Sequence, residues 1–409
     1  KPGMGTSLEA VFVLDAETMG ARVSVTYRWQ ADEPVLHKYV TIHNRGATPW
    51  NRLLNVRLGE YLPAAPIAAP LDNERGFPAY IDTQFFVSLA HPAGLADVTG
   101  DRVILRQFPG ALVAAGNAFQ CMETVYGVAP EGEARNAFLA HVTGRMRRTR
   151  RGHDRPYAIF EPFGARPNGS FDETEEFVLD SIAKVDQGQR QTGLRFDLYS
   201  VDFWVDYNGT LKECNPERFP NGLERIKDKL DRLGVSLGLW IDSSWEAWSI
   251  GGNPAAQTCL NVDPNDPGSL RQVTWGRRSF CRATEPIRSM YVDAFRHHIR
   301  ENKVRLLKFD NFATICVNPN HKHLPGLYST EPIIDAVIEF LNVLDTECPD
   351  VFLMLYWGYR SPWWLLHGDT LFDSGLGIEA ASPSTLPAPH ARDSVTHKLD
   401  QAQWHASDV

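Results

Sequence analysis

The chain has 409 residues, room for about two or three domains, and 43% of it is hydrophobic and 11% aromatic, the make-up of an ordinary globular protein. A formal net charge of -9 argues against a nucleic-acid groove, which depends on clustered Lys and Arg. No stretch approaches the roughly 20 apolar residues of a membrane span, so neither nucleic acid nor membrane is an expected partner.

From Leu8 to about Leu139 every signal is strand-like. Val11–Leu14, Ala21–Tyr27, His37–Ile42 and Val103–Leu105 alternate, are rich in β-branched residues and are separated by Gly-containing turns, which predicts an antiparallel β-sandwich over residues 1–144. Arg145-Met-Arg-Arg-Thr-Arg-Arg151 is the one basic run and reads as a solvated linker, with residues 145–156 as the domain boundary.

After it the pattern becomes strand, helix, strand, helix. Tyr157–Phe160 is a short apolar strand, and Ser170-Phe-Asp-Glu173 has the form of a capping box ahead of a helix with Phe177, Val178, Ile182 and Val185 on one face. Phe196–Trp204 and Val235–Asp242 are the next strands, each finishing in Trp and Asp, with a helix between them that stops at Gly234. The stretch 243–282 is long for a connection, and loops of that length usually build lids or substrate walls. A helix from Thr284 leads into Val304-Arg-Leu-Leu-Lys-Phe-Asp310-Asn-Phe312, an apolar run without helical period, as in a parallel strand covered on both faces. A helix from Thr330, the strand Val351–Tyr356, a short helix over 361–367 and a strand Thr370–Asp373 complete six strand units. The expected architecture is therefore a multidomain chain, a β-sandwich followed by a (β/α)8 TIM-type barrel over 157–409 that is incomplete at its C-terminus.

In such barrels the chemistry sits at the C-terminal strand ends. Those ends present Asp202, Trp204, Trp240, Asp242, Lys308, Asp310, Arg360 and Asp373 to one mouth. Carboxylates with a lysine and aromatic walls suit glycoside hydrolysis, where one carboxylate attacks and another protonates the leaving oxygen. The plain alternative for Asp310 is a loop-capping aspartate. Glu161 and Glu379 are placed at the rim. The six cysteines form no C-x-x-C pair, and His297, His298, His321 and His323 have no acidic or cysteine partner at ligand spacing, so no metal is expected. Cys259 and Cys281 are candidates for a disulfide.

Val201-Asp-Phe-Trp204, Asn215-Pro-Glu-Arg-Phe-Pro-Asn-Gly-Leu223, Leu233–Trp240 and Leu307-Lys-Phe-Asp-Asn311, in that order and spacing, resemble the α-galactosidase and α-N-acetylgalactosaminidase clan of retaining glycoside hydrolases. The preceding sandwich makes the chain look more like the family 36 type than the family 27 type. The resemblance implies cleavage of terminal α-galactosides by double displacement, with no cofactor and a carbohydrate substrate. It assigns Asp310 as nucleophile, Lys308 and Asp202 as sugar-hydroxyl contacts, and Trp204 and Trp240 as walls. Val201 replaces the first acid of the family's Asp-Asp-x-Trp strand end. Arg360 matches an arginine after the fifth strand of the larger enzymes. Asp373 is the expected acid/base, and Asp369 its rival, because Trp364–Asp369 imitates the Trp-x-x-x-Gly-Asp form of family 27. Two other activities fit the same scaffold: a raffinose-synthase-like α-galactosyl transferase and a catalytically silent sugar-binding protein. An oligomer is allowed, and a secreted or periplasmic setting is placed slightly ahead of a cytoplasmic one.

Overall fold

A computed structural model describes residues 7–68, 75–148, 157–163, 165–166, 172–206, 209–243 and 258–371. The N-terminal part is antiparallel. An eight-stranded sheet runs Ser7–Ala16, Ala21–Gln30, Val35–Asn44, Thr124–Val128, Phe85–Leu89, Ala79–Ile81 and Ile67–Ala68, with Ala118–Gln120 also paired to Val35–Asn44. A three-stranded sheet, Val56–Tyr61, Arg102–Gln107 and Leu95–Thr99, lies against it. Leu58, Val103 and Leu105 of the small sheet share one buried core with Phe86, Val87 and Val125 of the large one, the inward half of the alternation read in the sequence.

Two features depart from the expectation. The alternation in Val11–Leu14 predicts a buried face, yet that strand is exposed almost throughout and is held by its ladder to Ala21–Gln30. Ala134–Gly144 forms a helix where only strands were expected. It buries Ala134, Phe138, His141 and Val142, a helical spacing that a β-rich neighbourhood obscured.

The second half is a parallel sheet of six strands in chain order: Ile159–Phe160, Leu198–Val201, Ser236–Asp242, Leu306–Asp310, Phe352–Leu355 and Thr370–Leu371. Among the described residues this is a half-barrel sheet rather than a closed barrel. Helices Glu175–Thr192, Glu224–Leu233, Glu285–Arg300 and Thr330–Glu347 connect the strands. The first of these is capped by Thr174, whose side chain accepts from the Phe177 N–H. That corrects the capping box expected to start at Ser170, which lies outside the described residues; Glu173 faces inward instead and is buried. Gly234 ends the second helix in the left-handed conformation, as its position predicts. No helix among the described residues is long and apolar enough to cross a membrane.

Side-chain alternation divides each strand into two functions. Leu307 and Phe309 point outward, and Phe309 packs on Phe295 and Phe340 of two covering helices. Leu306 points inward and joins Leu198 and Phe352 in a small apolar plug. Lys308 and Asp310 follow Leu306 at the same two-residue period, so the chemistry stands directly above the plug.

The two halves are joined by buried polar contacts. Trp363 Nε1 donates to Ser88 Oγ at 3.0 Å, and Gln107 Nε2 donates to Glu331 Oε1 at 2.7 Å. Arg148, expected in a solvated linker, is only 5% exposed. Its guanidinium pairs with Asp369 and Asp345, both at 2.9 Å, and reaches the Val351 carbonyl. The basic run is thus in part a pin between the halves.

Candidate active site

Parallel pairing sets Trp240 level with Lys308 and Asp242 level with Asp310. Asp310 is the last residue of the fourth strand. Its Oδ2 accepts from Trp240 Nε1 at 2.9 Å and its Oδ1 from the Asn311 N–H at 2.7 Å. Asn311 has φ +56, so the chain turns sharply just after the carboxylate. The Phe312 N–H donates to the Trp357 carbonyl at 3.1 Å, and the Phe312 ring stacks on Tyr359 at 4.5 Å, which fixes the following loop to that of the fifth strand. Gly358 permits this approach: at φ +99, a Cβ there would meet the Phe312 carbonyl oxygen at 2.8 Å.

Lys308, 4% exposed, is gripped by Glu161 from the first strand's end and by Asp202 at 3.4 Å. Its ammonium also lies 4.6 Å from the Tyr356 ring centre, within cation–π range. Asp202 is held in turn by its own N–H, which donates to Glu173 Oε2 at 3.1 Å. Phe203 has φ +50, unusual for a bulky residue. That turn lays its ring on Trp240 at 4.8 Å and beside Phe163 at 5.9 Å, giving an aromatic wall of three stacked rings.

Two acids hold one lysine, and a third, Glu173, lies behind Asp202. Burial works against the Lys308 charge, but Asp202 and Glu161 outweigh it and raise its pKa, so it stays an ammonium. Burial raises Asp202 well above the usual carboxylate range, Glu161 beside it adds to the effect, and Lys308 opposes it. Burial pushes Glu173 up to about 8. Glu161, whose side chain keeps 29% of its exposure, is the outermost of these acids, and Asp202 and Glu173 lie deeper. Burial also raises Asp310, against the Trp240 N–H, Lys308 and the Asn311 N–H, which all favour its ionised form.

Of the expected site residues, Asp202, Trp240, Asp242, Lys308 and Asp310 gather at the strand ends. Arg360 is half-buried in the loop after the fifth strand. Asp373 and Glu379 lie outside the described residues.

Trp204 corrects the expectation. It is fully buried, donates its Nε1 hydrogen to the Trp240 carbonyl at 2.9 Å and stacks edge-on against His298. It is a core residue, because the turn at Phe203 rotates it out of the strand's alternation. His298 is likewise committed, to the Leu211 carbonyl at 2.7 Å, and burial lowers its pKa to about 4.

Asp369 is the second correction. Its Oδ2 accepts from Arg148 and from the Leu353 N–H at 2.7 Å. Leu353 pairs with Leu307, three residues before Asp310, so Asp369 sits about 10 Å down the strands from the mouth at the usual rise per residue. Glu161 is the residue that sequence reasoning undervalued; its partner Lys308 is 147 positions away. The candidate Cys259–Cys281 disulfide is not formed: both thiols are free.

A β-rich N-terminal half docked on a sheet of parallel strands is the fold also found in solved GH36 α-galactosidases. The solved GH36 α-galactosidase AgaB of Geobacillus stearothermophilus matches 97% of this chain with a TM-score of 0.67 at 14% identity, and 60% of its own length is covered. AgaA of the same organism, solved in complex with raffinose, matches 97% with a TM-score of 0.67 at 15% identity, over 61% of its length. The α-galactosidase of Lactobacillus brevis matches 97% with a TM-score of 0.66 at 13% identity, over 59% of its length. This chain thus spans about three-fifths of those structures and shares their fold. No family model and no curated protein matches its sequence.

Proposed function

We propose that this protein is a retaining glycoside hydrolase that removes terminal α-galactoside-like residues, and that its six parallel strands belong to an eight-stranded barrel. The observation that carries the reading is the Asp310 carboxylate. It is half-buried at a C-terminal strand end, oriented through both oxygens and two residues from a buried ammonium. Asp310 attacks the anomeric carbon and the C–O bond to the leaving group breaks, giving a β-glycosyl ester. Asp373 gives its proton to the leaving oxygen, then takes one from the water that opens the ester. Asp373 is preferred to Asp369 because Asp369 is held by Arg148 and the Leu353 N–H, well below the mouth. Lys308, Asp202, Asp242, Glu161 and Arg360 receive the sugar hydroxyls. The rings of Phe163, Phe203 and Trp240 wall the apolar face of the sugar.

The test is hydrolysis of an aryl α-galactoside with the first-formed sugar followed by proton NMR. The α anomer appearing first supports the reading. The β anomer first overturns retention, and galactose binding without turnover favours a sugar-binding protein. Added acceptor sugars separate hydrolysis from transfer.

The acid limb of kcat/KM reports ionisation of the free enzyme's base or nucleophile. Asp310 must be ionised and its pKa is raised, so activity falls with decreasing pH through a midpoint above the ordinary carboxylate value. Trp240→Phe removes a donor that favours the ionised form, and the acid limb is expected to move to still higher pH. A limb that stays in place in Trp240→Phe contradicts the assignment.

A further inference from the structure

Two loops at the mouth meet in a cluster that the proposed hydrolysis does not use. Cys281 closes the loop that follows the third strand, and Cys316, His321 and His323 lie in the loop that follows Asp310. One ligand atom from each of the four lies within 4.8 Å of the others. Cys281 Sγ is 3.2 Å from His323 Nε2, and Cys316 Sγ is 3.2 Å from His321 Nδ1. Tetrahedral zinc with ordinary Zn–S and Zn–N bonds has ligand–ligand edges of about 3.3–3.8 Å. The cluster is near that size before any metal draws it in.

The remaining ring nitrogens are engaged as in a metal site. His321 Nε2 lies 3.0 Å from the Thr258 carbonyl and His323 Nδ1 lies 2.9 Å from the Leu324 carbonyl. Each imidazole that donates there turns its lone pair toward the cluster, the backbone support that orients metal-bound histidines. Both thiols are buried, and none of the described cysteines is in a disulfide. A further hydrogen bond, from the Cys316 N–H to Ser329 Oγ at 2.9 Å, fixes the second thiol's backbone.

We propose that Cys281, Cys316, His321 and His323 bind one Zn²⁺ as a closed structural site. Two thiolates and two neutral imidazoles fill the tetrahedron, leaving no position for water or substrate. Binding releases the two thiol protons to solvent. The metal then joins the loop over 258–282 to the loop over 311–329. These loops already share hydrogen bonds from the Val317 N–H to the Asn261 carbonyl at 2.7 Å and from Asn318 Nδ2 to the Leu260 carbonyl at 2.9 Å. The zinc is a staple for the walls around Asp310, and it stands whether or not the sugar chemistry is as proposed. The grouping corrects the reading that His321 and His323 lack a cysteine partner: the Cys-x4-His-x-His spacing of 316, 321 and 323 was legible, whereas Cys281 joins only through the fold.

The experiment measures metal in the whole protein, purified without a polyhistidine tag or chelator. Elemental analysis is expected to find about one zinc per chain, falling to a small fraction of that in the Cys281→Ser, Cys316→Ser double variant and in the His321→Ala, His323→Ala double variant. Should those variants not fold, the unaltered protein is titrated with an organomercurial while a chromophoric chelator reports released zinc. Release in step with modification of two thiols supports the site. Zinc content unchanged in the variants, no metal retained and none taken up from added Zn²⁺, or a Cys281–Cys316 disulfide in the non-reduced peptide map overturns it.

Discussion

Asp310→Ala is expected to lower hydrolysis of an aryl α-galactoside by on the order of 10³-fold or more, because the step that makes the glycosyl ester then has no nucleophile. Stability should change little by comparison. Truncation removes a half-buried carboxyl whose pKa is raised by desolvation, and the Trp240 and Asn311 donors it leaves face a cleft that water can enter. Added azide enters from the face that Asp310 vacates and gives the β-galactosyl azide. In Asp373→Ala, azide instead opens the ester still formed on Asp310 and gives the α azide. The two products tell nucleophile from acid/base without reference to the size of either defect. Asp310→Ala retaining ordinary turnover would remove the central assignment.

Arg148→Met is expected to destabilise the protein by about 3–5 kcal/mol, the usual effect of breaking a buried ion pair from one side. It strands the Asp369 carboxylate, whose side chain is 6% exposed, and takes the guanidinium from the Val351 carbonyl. Asp345 is 27% exposed, so water screens it and its share is small. Asp369→Asn should lower the unfolding midpoint in the same direction while leaving kcat within a few-fold, since this side chain stands at the far end of the strands. Loss of kcat in Asp369→Asn with an unchanged midpoint would restore it as the acid/base.

The strands were legible where alternation or unbroken apolar runs were long, and Leu306–Asp310 is the clearest case. Its two-residue period also gave the inward placement of Lys308 and Asp310, since that follows from pleat geometry alone. The same rule failed at Trp204 because a single left-handed residue, Phe203, ended the strand early and moved the aromatic wall one position back. Nothing local marks Phe203 as left-handed; its conformation is imposed by packing on Trp240 and Phe163. Glu161 and Arg148 were undervalued for another reason. Their partners Lys308 and Asp369 lie 147 and 221 positions away, and a charged residue's neighbours across a sheet or between domains leave no trace in spacing.

The most direct test of the account is to trap the proposed ester. A fluorinated α-galactosyl donor with an activated leaving group should inactivate the enzyme with time, and peptide mass spectrometry should place one added sugar on Asp310. A sugar on another carboxylate, or steady turnover of α-galactosides with no covalent adduct and the β anomer formed first, would contradict it.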